Sequence, residues 1–600
     1  MSKKLINRIN ISEIDNLYHL FCTRVRQSPN KIAYQYCEGE TPERTSISWS
    51  EMANHVAIWQ SALKGEDLNP GDRVALMLNN CPQWVMFEQA ALGLGLIVIP
   101  MYTNDRAENV AYMIDDAQIK LLLIETNEQW QELKDACTNR DSLKRVILKE
   151  KADDHTEILR HLSEWLPDGD MRYPLAELSI HKSSLATIVY TSGTTGKPKG
   201  VMLSHQNILW NADSALDHVN VYETDTFLSF LPLSHMFERT VGHYLAMLSN
   251  STVNYARSIE HLAEDLQCTH PTLLVTVPRI FERVYNKIQS QLKDKSSFAR
   301  FLFNAAISTG WRRFLWQQGR GAWHPSLLAW PILFFLVGRK VMAKLGGNMR
   351  LAVSGGAPLS AEIAKTFIGL GLPITQGYGL TETSPIISTN KLDDNYPDSV
   401  GSPIRDVTIK LGDNDELLVR SPGVMLGYWN NESATKKAIN EDGWLHTGDK
   451  ARIENNHIYI TGRIKEILVL SNGEKVPPAD IEMAIANDPL FDQIMVLGEQ
   501  KAYLAAIIVF NPDEWIKLAT ELNISPDISQ VNNETVINIV NDKIKSHMHN
   551  FPGYANIYNF YITLDPWTVE NGLITPTLKL KRTEITNVYQ EIIDGLYEGH

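Results

Sequence analysis

The sequence has few cysteines, and no two of them stand close together. They are Cys22, Cys37, Cys81, Cys137 and Cys268, an odd number at spacings that match no zinc-binding pattern. Scattered thiols of this kind are typical of a protein in a reducing compartment. We therefore expect free cysteines and no cysteine-bound metal.

A long apolar run and a secretory signal are also missing. Residues 1–21 mix charged side chains with isolated apolar ones, so they lack the continuous apolar centre of a signal peptide. The longest apolar run, residues 327–337, contains Pro331 and is shorter than the about 18 residues that a spanning helix needs. The expectation is a cytoplasmic protein that contacts a membrane at one place, on its inner face.

The chain has no excess of basic residues. Its 56 Lys and Arg against 70 Asp and Glu give a net charge of −14, which argues against a nucleic-acid-binding surface. A hydrophobic fraction of 44% and a charged fraction of 21% are ordinary for a globular protein. With 600 residues, the chain is too long for one compact core, so we expect two or more domains.

Short apolar strands repeatedly lead into glycine-rich turns and then into helices. Residues 185–190 (LATIVY) precede such a turn, and Ser204 can cap the helix that follows it. Residues 351–353 lead into Gly355 and Gly356, and Ser360 can cap the next helix. This order predicts a layered α/β domain whose ligands bind at the carboxyl ends of the strands.

The pattern changes near Gly462. Asn472 and Gly473 favour a tight hairpin turn between two short strands, and a short helix and two further strands follow. These features predict a separate, smaller α+β domain. The predicted boundaries are residues 1–463 for the first domain and 464–600 for the second.

The strongest functional signal is YTSGTTGKPKGV at residues 190–201. Within ten residues it has four hydroxyl side chains, three glycines and two lysines. Glycines let backbone N–H groups approach an anion, and hydroxyls and lysines add donors, so the segment predicts a cradle for a polyphosphate. It is not a P-loop, because Thr191 and Pro198 stand where that motif has Gly and Ser or Thr.

This segment resembles the phosphate loop of the adenylate-forming superfamily, which includes acyl-CoA synthetases, luciferases and the adenylation domains of peptide synthetases. Eight other segments are similar to that superfamily, in its order and over nearly the whole chain. They are residues 48–59 (SWSEMANHVAIW), 71–78 (GDRVALML), 354–358 (SGGAP), 376–382 (QGYGLTE), 427–429 (GYW), 443–449 (GWLHTGD), 459–476 (YITGRIKEILVLSNGEKV) and 576–582 (PTLKLKR). The resemblance implies a large luciferase-like acyl-adenylating α/β domain and a small mobile α+β domain.

The resemblance also implies a nucleotide site. Tyr378 is expected to stack on the adenine beside Gly355, Gly356 and Ala357, where small residues let a flat ring lie against the backbone. Asp449, an acceptor when ionised, is expected to bind the ribose hydroxyls. The full expected set of ATP- and AMP-binding residues is Thr191, Ser192, Gly193, Thr194, Thr195, Gly196, Lys197, Gly355, Gly356, Ala357, Gln376, Gly377, Tyr378, Gly379, Thr381, Glu382, Asp449, Arg463 and Lys579.

Four residues are expected to carry the chemistry: Lys579, Glu382, Thr191 and His235. Glu382 would bind Mg²⁺ together with phosphate oxygens, since that ion prefers hard oxygen ligands, and Thr191 would add a hydroxyl. His235 occupies the place where the family has a histidine beside the acyl site. By the same resemblance, Lys579 is the catalytic lysine of the small domain.

The register around that lysine has an alternative. The family usually has Gly before the lysine, and this chain has Leu578, so Lys579 and Lys581 compete for the role. The spacing from Pro576 favours Lys579. Lys465 occupies the hinge position about which the family rotates its small domain.

Taken together, the resemblance implies an AMP-forming ligase with ATP, coenzyme A and a carboxylic acid as substrates and Mg²⁺ as cofactor. Residues 277–285 (VPRIFERVY) and 470–476 (LSNGEKV) are similar to long-chain acyl-CoA synthetases, so a long-chain fatty acid is the expected acid. Residues 311–345 place tryptophans and basic residues around an apolar run, which suits a membrane surface; a buried helix is the alternative.

Three other functions remain open from the sequence. An acyl-AMP ligase could pass its adenylate to a separate carrier protein, and a luciferase-type oxygenase shares the adenylation step. A non-catalytic lipid- or nucleotide-binding protein is the third alternative. Glu382 and Lys579 are both present, which favours a catalytic protein over a silent one.

Overall fold

The computed structural model describes most of the chain. The described residues are 6–39, 41–137, 142–151, 158–168, 173–191, 197–293, 295–549, 551–575 and 578–598.

The strands are numbered along the chain. They are β1 Ile32–Cys37, β2 Arg44–Ser48, β3 Arg73–Met77, β4 Ile97–Pro100, β5 Leu121–Ile124, β6 Arg145–Leu148, β7 Leu159–His161, β8 Leu185–Thr191, β9 Lys199–Ser204, β10 Thr226–Ser229, β11 Thr252–Tyr255, β12 Leu273–Thr276, β13 Leu351–Ser354, β14 Ile374–Gly379, β15 Ile386–Thr389, β16 Ser402–Pro403, β17 Thr408–Leu411, β18 Glu416–Arg420, β19 Gly427–Tyr428, β20 Leu445–Glu454, β21 His457–Arg463, β22 Leu468–Val469, β23 Lys475–Val476, β24 Phe491–Leu497, β25 Leu504–Phe510 and β26 Ile557–Thr563.

The α-helices are numbered in the same way. They are α1 Leu17–Gln27, α2 Trp49–Lys64, α3 Pro82–Gly93, α4 Ala107–Asp116, α5 Asn127–Ala136, α6 Leu162–Trp165, α7 His205–Ala215, α8 Ala246–Ser249, α9 Leu262–Thr269, α10 Pro278–Lys293, α11 Ser297–Gln317, α12 Trp330–Leu333, α13 Arg339–Lys344, α14 Ala361–Gly369, α15 Glu432–Ala438, α16 Pro478–Ile485, α17 Pro512–Glu521, α18 Glu534–Met548, α19 Arg582–Val588 and α20 Gln590–Leu596. Short 3₁₀ segments lie at Ile11–Glu13, Pro325–Ala329, Thr381–Thr383, Asp413–Asp415, Ile528–Gln530 and Gly553–Ala555, and π-helical segments at Glu238–Leu245 and Phe334–Gly338.

The first large sheet has eight strands in the order β19-β9-β8-β4-β3-β5-β6-β7. Strands β3 to β6 are short and almost wholly buried, and they pair in parallel, as is typical of strands covered on both faces. At the other end, β8 and β9 form an antiparallel hairpin. The glycine-rich segment at residues 190–201 therefore connects two strands of one sheet.

The second large sheet has nine strands in the order β16-β15-β14-β13-β12-β10-β11-β1-β2. Its neighbours β10, β12, β13 and β14 pair in parallel. Their carboxyl ends consequently meet at one edge, where loops from all four strands come together. Six candidate functional residues lie on these loops: His235, Gly355, Gly356, Ala357, Thr381 and Glu382.

The chain continues into smaller sheets. Strands β17, β18, β20 and β21 form an antiparallel sheet, and β21 ends at Arg463. Beyond it, β22 and β23 form the expected hairpin, with Gly473 at φ +87° in its turn. Strands β24, β25 and β26 form a three-stranded sheet with separate hydrophobic cores around Ile508 and Ile507. The predicted fold class, a large α/β domain followed by a smaller α+β domain, is confirmed; the boundary at 463/464 stays a prediction.

Two predicted helix starts differ in outcome. Ser204 caps α7 as expected, since its hydroxyl accepts the Asn207 N–H and Asn207 returns a bond in a capping box. Ser360 stands at the N-cap position of α14, but its side chain makes no capping hydrogen bond, so that part of the prediction is wrong. A serine at this position caps a helix only when its side chain turns toward the first backbone N–H groups.

A helical insert, residues 278–344, separates β12 from β13. It comprises α10, α11, α12 and α13 with the short segments between them. Its contact with α14 is backbone to backbone: a Cβ on Gly310 would lie 1.9 Å from the carbonyl oxygen of Gly369. Gly338 approaches the Leu370 carbonyl oxygen in the same way, and a Cβ on Gly338 would lie 2.6 Å from it. The insert is therefore fixed to the domain at two glycines.

One helical stretch of this insert is longer than the apolar run from which the sequence prediction is made. Residues Pro325–Lys344 form 20 residues of helix that are long and apolar enough to cross a membrane, by length and composition alone. The expectation that the run at 327–337 is too short to span is wrong on length, because the helix extends beyond it on both sides. One such helix is weak evidence for a span, and its Gly338 face is packed against the protein.

Gly310→Ala should destabilise the insert. The added methyl group has no room beside the Gly369 carbonyl, and overpacking of this kind lowers the free energy of unfolding by about 1–3 kcal/mol. Thermal and urea unfolding of the purified protein measure the change. Gly595→Ala is the control: no described atom lies within 4 Å of the Cβ position of this helical glycine, so the variant should be neutral or slightly more stable. Equal stability of the two variants would contradict the close helix packing.

Candidate active site

The glycine-rich loop is described only at its two ends. Thr191 ends β8, and Lys199 begins β9 directly opposite it in the hairpin. The Thr191 hydroxyl lies 3.4 Å from the Lys199 carbonyl oxygen, and the Lys199 amine lies 5.2 Å from the centre of the Tyr428 ring. Lys197 is exposed at the end of the loop. The expected ligands Ser192, Gly193, Thr194, Thr195 and Gly196 lie outside the described residues.

Tyr378, Asp449 and Arg463 come together from three strands. Asp449 and Arg463 are register partners on β20 and β21, with 3.1 Å between Arg463 Nε and Asp449 Oδ1. The Tyr378 hydroxyl donates to the other oxygen, Oδ2, at 2.6 Å. Both carboxylate oxygens are thus oriented, and each keeps a further lone pair for a ligand hydroxyl.

Burial shifts the pKa values of Asp449 and Tyr378. It raises the pKa of Asp449, although the charge of Arg463 and the Tyr378 hydrogen bond act against the rise. Burial, with the nearby Asp449 carboxylate, also raises the pKa of Tyr378 well above its ordinary value. The Tyr378 hydroxyl therefore remains a donor at neutral pH, as the bond to Asp449 requires.

Glycines form one wall of a cavity beside Tyr378. Gly355 is packed so closely that a Cβ on it would lie 2.9 Å from the Phe237 ring. Gly356 has φ +80°, a conformation that a larger residue adopts only with strain. The expected nucleotide-binding residues that line the cavity are Gly355, Gly356, Gly377, Tyr378, Gly379 and Thr381.

Gln376 and Ala357 are among the expected ligands that do not line that cavity. Gln376 is buried, and its side chain accepts the Leu359 N–H at 2.9 Å and donates to the Pro397 carbonyl. It therefore holds two loops together and positions its neighbours in β14. Ala357 is exposed one residue beyond Gly356 and is not among the cavity-lining residues of the described chain.

Glu382 lies on the 3₁₀ turn that follows β14. The hydroxyl of Tyr428 donates to its Oε1 at 2.8 Å, which fixes the carboxylate near Lys199. Within the described residues, no cluster of three or more His, Cys, Asp or Glu side chains is arranged to hold a metal ion. A single oriented carboxylate fits Mg²⁺, which binds through one or two carboxylates plus substrate phosphates and water.

His235 is one of the residues that line the cavity. Its Nδ1 is 3.2 Å from the Tyr102 hydroxyl, and its ring is part of the cavity wall. Burial lowers the pKa of His235 to about 4, and the positive charge of Lys579 acts in the same direction. The imidazole is therefore neutral at pH 7.

The cavity itself has about 810 Å³ of empty space, part of it open to solvent. Most of the residues that line it are apolar. The apolar lining residues are Ala215, Val219, Val221, Phe227, Phe237, Val241, Leu245, Leu273, Leu274, Val275, Val353, Leu380, Pro385 and Ile386. The apolar lining fits an acyl group.

A buried ion pair supports one side of this cavity, at the π-helical segment Glu238–Leu245. Arg239 of that segment donates through Nε to Glu88 at 2.6 Å and through Nη1 to the Thr187 hydroxyl at 2.9 Å. Burial alone would raise the pKa of Glu88, but the charges of Arg239 and His243 lower it to about 2, so the carboxylate is ionised. The pair ties the cavity wall to α3 and β8.

Lys579 approaches the same region from the C-terminal domain. It closes a tight turn in which the Thr575 N–H donates to the Lys579 carbonyl at 2.8 Å. Lys579 is an exposed residue, but desolvation of its amine and the charge of Arg463 lower the pKa of Lys579, while Asp449, Glu466 and Glu382 act against the shift. The amine is thus close enough to all four groups for their charges to act on it.

Leu578 stands where the family usually has glycine before the lysine. It has φ +62°, the left-handed conformation that glycine adopts freely and a bulky side chain adopts only with strain. The turn before Lys579 therefore has the backbone conformation for which the family uses glycine. This agreement supports the register in which Lys579 is the functional lysine.

Lys581 and Lys465 have different surroundings. Lys581 stands at the N-cap position of α19, and its backbone N–H donates to the Leu573 carbonyl at 2.9 Å. Lys465 is exposed directly after β21, where the four-stranded sheet gives way to the C-terminal domain. Its role as the hinge stays a prediction.

Three residues of the site, Tyr428, Tyr102 and Phe237, are not predicted from the sequence. Tyr428 follows Gly427 in a segment that resembles the family. Its place in that segment is the one sequence signal that could have indicated a role in the site. Tyr102 follows β4 and is distant in sequence from His235. Phe237 shapes the glycine wall through packing alone, which no local pattern reveals.

The chain is similar to known proteins over nearly its whole length. Residues 21–429 match the family described as AMP-binding enzyme, and residues 465–600 match the AMP-binding enzyme C-terminal domain. Long-chain-fatty-acid–CoA ligase FadD15 of Mycobacterium bovis is 31% identical over 596 residues, covering 98% of each chain. Long-chain-fatty-acid–CoA ligase 5 of Rattus norvegicus is 28% identical, covering 98% of this chain and 89% of its own.

The fold is similar to solved structures as well. The adenylation domain of a carboxylate reductase from Mycobacterium chelonae superposes with a TM-score of 0.79 at 21% identity, covering 97% of this chain and 91% of its own. The protein therefore belongs to the AMP-binding enzyme family, the adenylate-forming superfamily that includes the acyl-CoA synthetases.

Proposed function

We propose that this protein is an ATP-dependent, AMP-forming ligase that converts a long-chain fatty acid into its coenzyme A thioester. One observation carries the proposal: a single cavity joins the glycine and Tyr378 wall to a long apolar lining. An acid bound with its chain in the apolar part would present its carboxylate beside His235, toward the nucleotide. The names of the relatives from Mycobacterium bovis and Rattus norvegicus support the same acid and the same thiol.

In the first step, the fatty carboxylate attacks the α-phosphorus of ATP. A fatty acid is ionised at pH 7, since carboxyl groups have reference pKa values near 4, and its carboxylate is a poor acceptor for a thiol. A carboxylate oxygen forms a bond to the α-phosphorus, and the bond to the β-phosphate oxygen breaks, so pyrophosphate leaves with the electron pair. The products are acyl-AMP and pyrophosphate.

The protein contributes position and positive charge to this step. Asp449 would hold the ribose hydroxyls, and Tyr378 would cover the adenine. Lys579 and the lysines of residues 190–201 would neutralise negative charge that develops as pyrophosphate departs. Neutral His235 adds no charge near the carboxylate and leaves it free to attack.

Mg²⁺ fits this site, with Glu382 and Thr191 as its protein ligands. When bound, it would neutralise phosphate charge and orient the phosphates. Tyr428 would keep Glu382 in place for that purpose through the 2.8 Å hydrogen bond.

In the second step, the coenzyme A thiol attacks the acyl carbonyl of acyl-AMP. A carbon–sulfur bond forms, the bond between the carbonyl carbon and the phosphate oxygen breaks, and AMP leaves. The thiol proton is released to solvent. We propose that the C-terminal domain turns about Lys465 between the steps, because Lys579 neutralises charge only while pyrophosphate departs.

We also propose that the protein works in the cytoplasm, at the inner face of a membrane. Its five cysteines are scattered along the sequence, a pattern that suits a reducing compartment. Long-chain fatty acids concentrate in lipid, so contact with a bilayer would supply the substrate.

The test of this function uses the purified protein with ATP, Mg²⁺, coenzyme A and a series of acids from acetate to long-chain fatty acids. Mass spectrometry should find AMP and acyl-CoA, with the highest kcat/KM for long chains, because these fill the apolar part of the cavity. Acyl-AMP without a thioester would instead favour a ligase that serves a carrier protein. Absence of turnover with every acid would contradict the proposal and favour a non-catalytic binding protein.

Lys579→Ala should abolish acyl-AMP formation and leave thioester formation from supplied acyl-AMP nearly unchanged. A positioned charge of this kind contributes about a hundredfold to a thousandfold or more to a rate. Separate assays of pyrophosphate release and of acyl transfer to coenzyme A measure the two steps. Lys581→Ala is the matched control and should affect neither. An essential Lys581 with a dispensable Lys579 would show that the register at the C-terminus is wrong.

Tyr428→Phe should slow acyl-AMP formation by about tenfold to a hundredfold and raise the Mg²⁺ concentration needed for half the maximal rate. The variant removes one hydrogen bond to a carboxylate, worth about 1.5–3 kcal/mol, and keeps the ring. Tyr285→Phe is the control, since it removes the 2.9 Å hydrogen bond from Tyr285 of the helical insert to Glu362 of α14. If both variants have the same Mg²⁺ dependence as the wild type, Tyr428 does not position Glu382.

A further inference from the structure

The helical insert carries an exposed apolar face. Along the helical stretch from Pro325 to Lys344, Leu328, Ile332, Phe335 and Leu336 recur at helical spacing and are 73%, 64%, 58% and 43% exposed. Trp316 and Trp323 are exposed in the stretch that precedes it. We call these six side chains the insert face. Exposed apolar residues so close together mark an interaction surface.

Positive charge surrounds the insert face. Between Asp294 and Glu362 the sequence has nine Lys and Arg residues and no Asp or Glu, in a chain whose net charge is −14. Arg339, Lys340 and Lys344 continue the same helix, are exposed, and have no carboxylate partner among the described residues. A strongly basic stretch of an acidic chain thus coincides with its apolar helix.

The opposite face of the helix is occupied by the protein. Trp330, Leu333, Gly338 and Met342 are buried, and Gly338 touches the Leu370 carbonyl. A helix fixed in this way cannot cross a bilayer without leaving its domain. Its exposed face, with tryptophans at one end and basic residues at the other, has the composition of a helix that lies in a membrane interface.

The charges favour a lipid surface over a second copy of the chain. In a twofold symmetric dimer the same patch meets itself, so the basic residues of both copies would gather in one interface without carboxylates between Asp294 and Glu362 to balance them. An anionic bilayer instead offers negative headgroups to the basic residues and hydrocarbon to Ile332 and Phe335.

We propose that the insert face docks on a bilayer that contains anionic lipid. The proposal rests on the proposed function, because a long-chain fatty acid dissolved in that bilayer would reach the protein there. The connectivity agrees: the insert begins shortly after Val275 of β12 and ends before Val353 of β13, and both residues line the cavity. Docking would therefore hold the cavity-bearing domain against its source of substrate.

The test is sedimentation of the full-length protein with vesicles. Vesicles of phosphatidylcholine and phosphatidylglycerol in equal amounts should bind the wild type, and high salt or pure phosphatidylcholine should weaken the binding. The double variant Ile332→Glu with Phe335→Glu should bind at least about tenfold more weakly, because each apolar side chain loses its transfer to hydrocarbon. Arg339→Glu with Lys340→Glu should lose about tenfold or more, since each basic residue near an anionic surface contributes about 1 kcal/mol.

Matched control variants show whether an effect on vesicle binding is specific to the insert face or follows from adding negative charge anywhere on the surface. Ile516→Glu alters an isoleucine that is 51% exposed on α17, and Lys436→Glu with Lys437→Glu reverses two charges on α15. These variants should bind vesicles like the wild type. All variants should keep the wild-type rate with a short, water-soluble acid in the absence of vesicles, which shows that they are folded.

The remaining outcomes overturn one proposal or the other. A wild type that makes acyl-CoA but does not bind vesicles, or face variants that bind as well as the controls, would overturn docking and leave the ligase intact. Vesicle binding without ligase activity would overturn the proposed function alone. A dimer in light scattering that Ile332→Glu with Phe335→Glu converts to monomer would show that a second copy covers the face, against the proposal.

Discussion

The parallel pairing of β10, β12, β13 and β14 is the constraint on which the rest of the site depends. Because these strands run in one direction, the loops after them open at one edge, and that edge brings His235, the glycines at 355–356 and Glu382 together. The buried, ionised Glu88–Arg239 pair then ties the π-helical wall to α3, and Arg239 also bonds Thr187 of β8. Cavity shape, nucleotide wall and carboxylate position all follow from strand order, with loop residues adding the chemistry.

A second constraint is the approach of one amine from another part of the chain. Lys579 stands in a tight turn, and Leu578 adopts a left-handed backbone conformation to form it. The amine then shares its surroundings with Asp449, Glu382 and Arg463, so the charge balance of the site depends on where the C-terminal domain lies. A movement of that domain would change the electrostatics of the nucleotide wall without moving any of its own residues.

The sequence predicts much of this arrangement because local patterns determine it. Alternation of strands and glycine turns predicts the fold class, and Asn472–Gly473 predicts its hairpin. Ser204 predicts a helix start, whereas Ser360 does not cap because a rotamer is not a sequence property. Other features depend on residues that are distant in the sequence, so no local pattern predicts them. They are the roles of Tyr428 and Tyr102, the glycine contacts of the insert, the buried side chain of Gln376 and the exposure of Ala357. The roles of the site residues stay predictions until they are tested by substitution.

The most direct test of the central claim, that a fatty carboxylate attacks the α-phosphorus of ATP, uses a fatty acid with oxygen-18 at both carboxylate positions. If the carboxylate does so, one labelled oxygen appears in the phosphate of AMP and the other in the carbonyl of the acyl-CoA. Mass spectrometry of the two products after a single incubation measures both. Unlabelled AMP, or label in pyrophosphate, would contradict an acyl-adenylate and with it the assignment of the whole cavity.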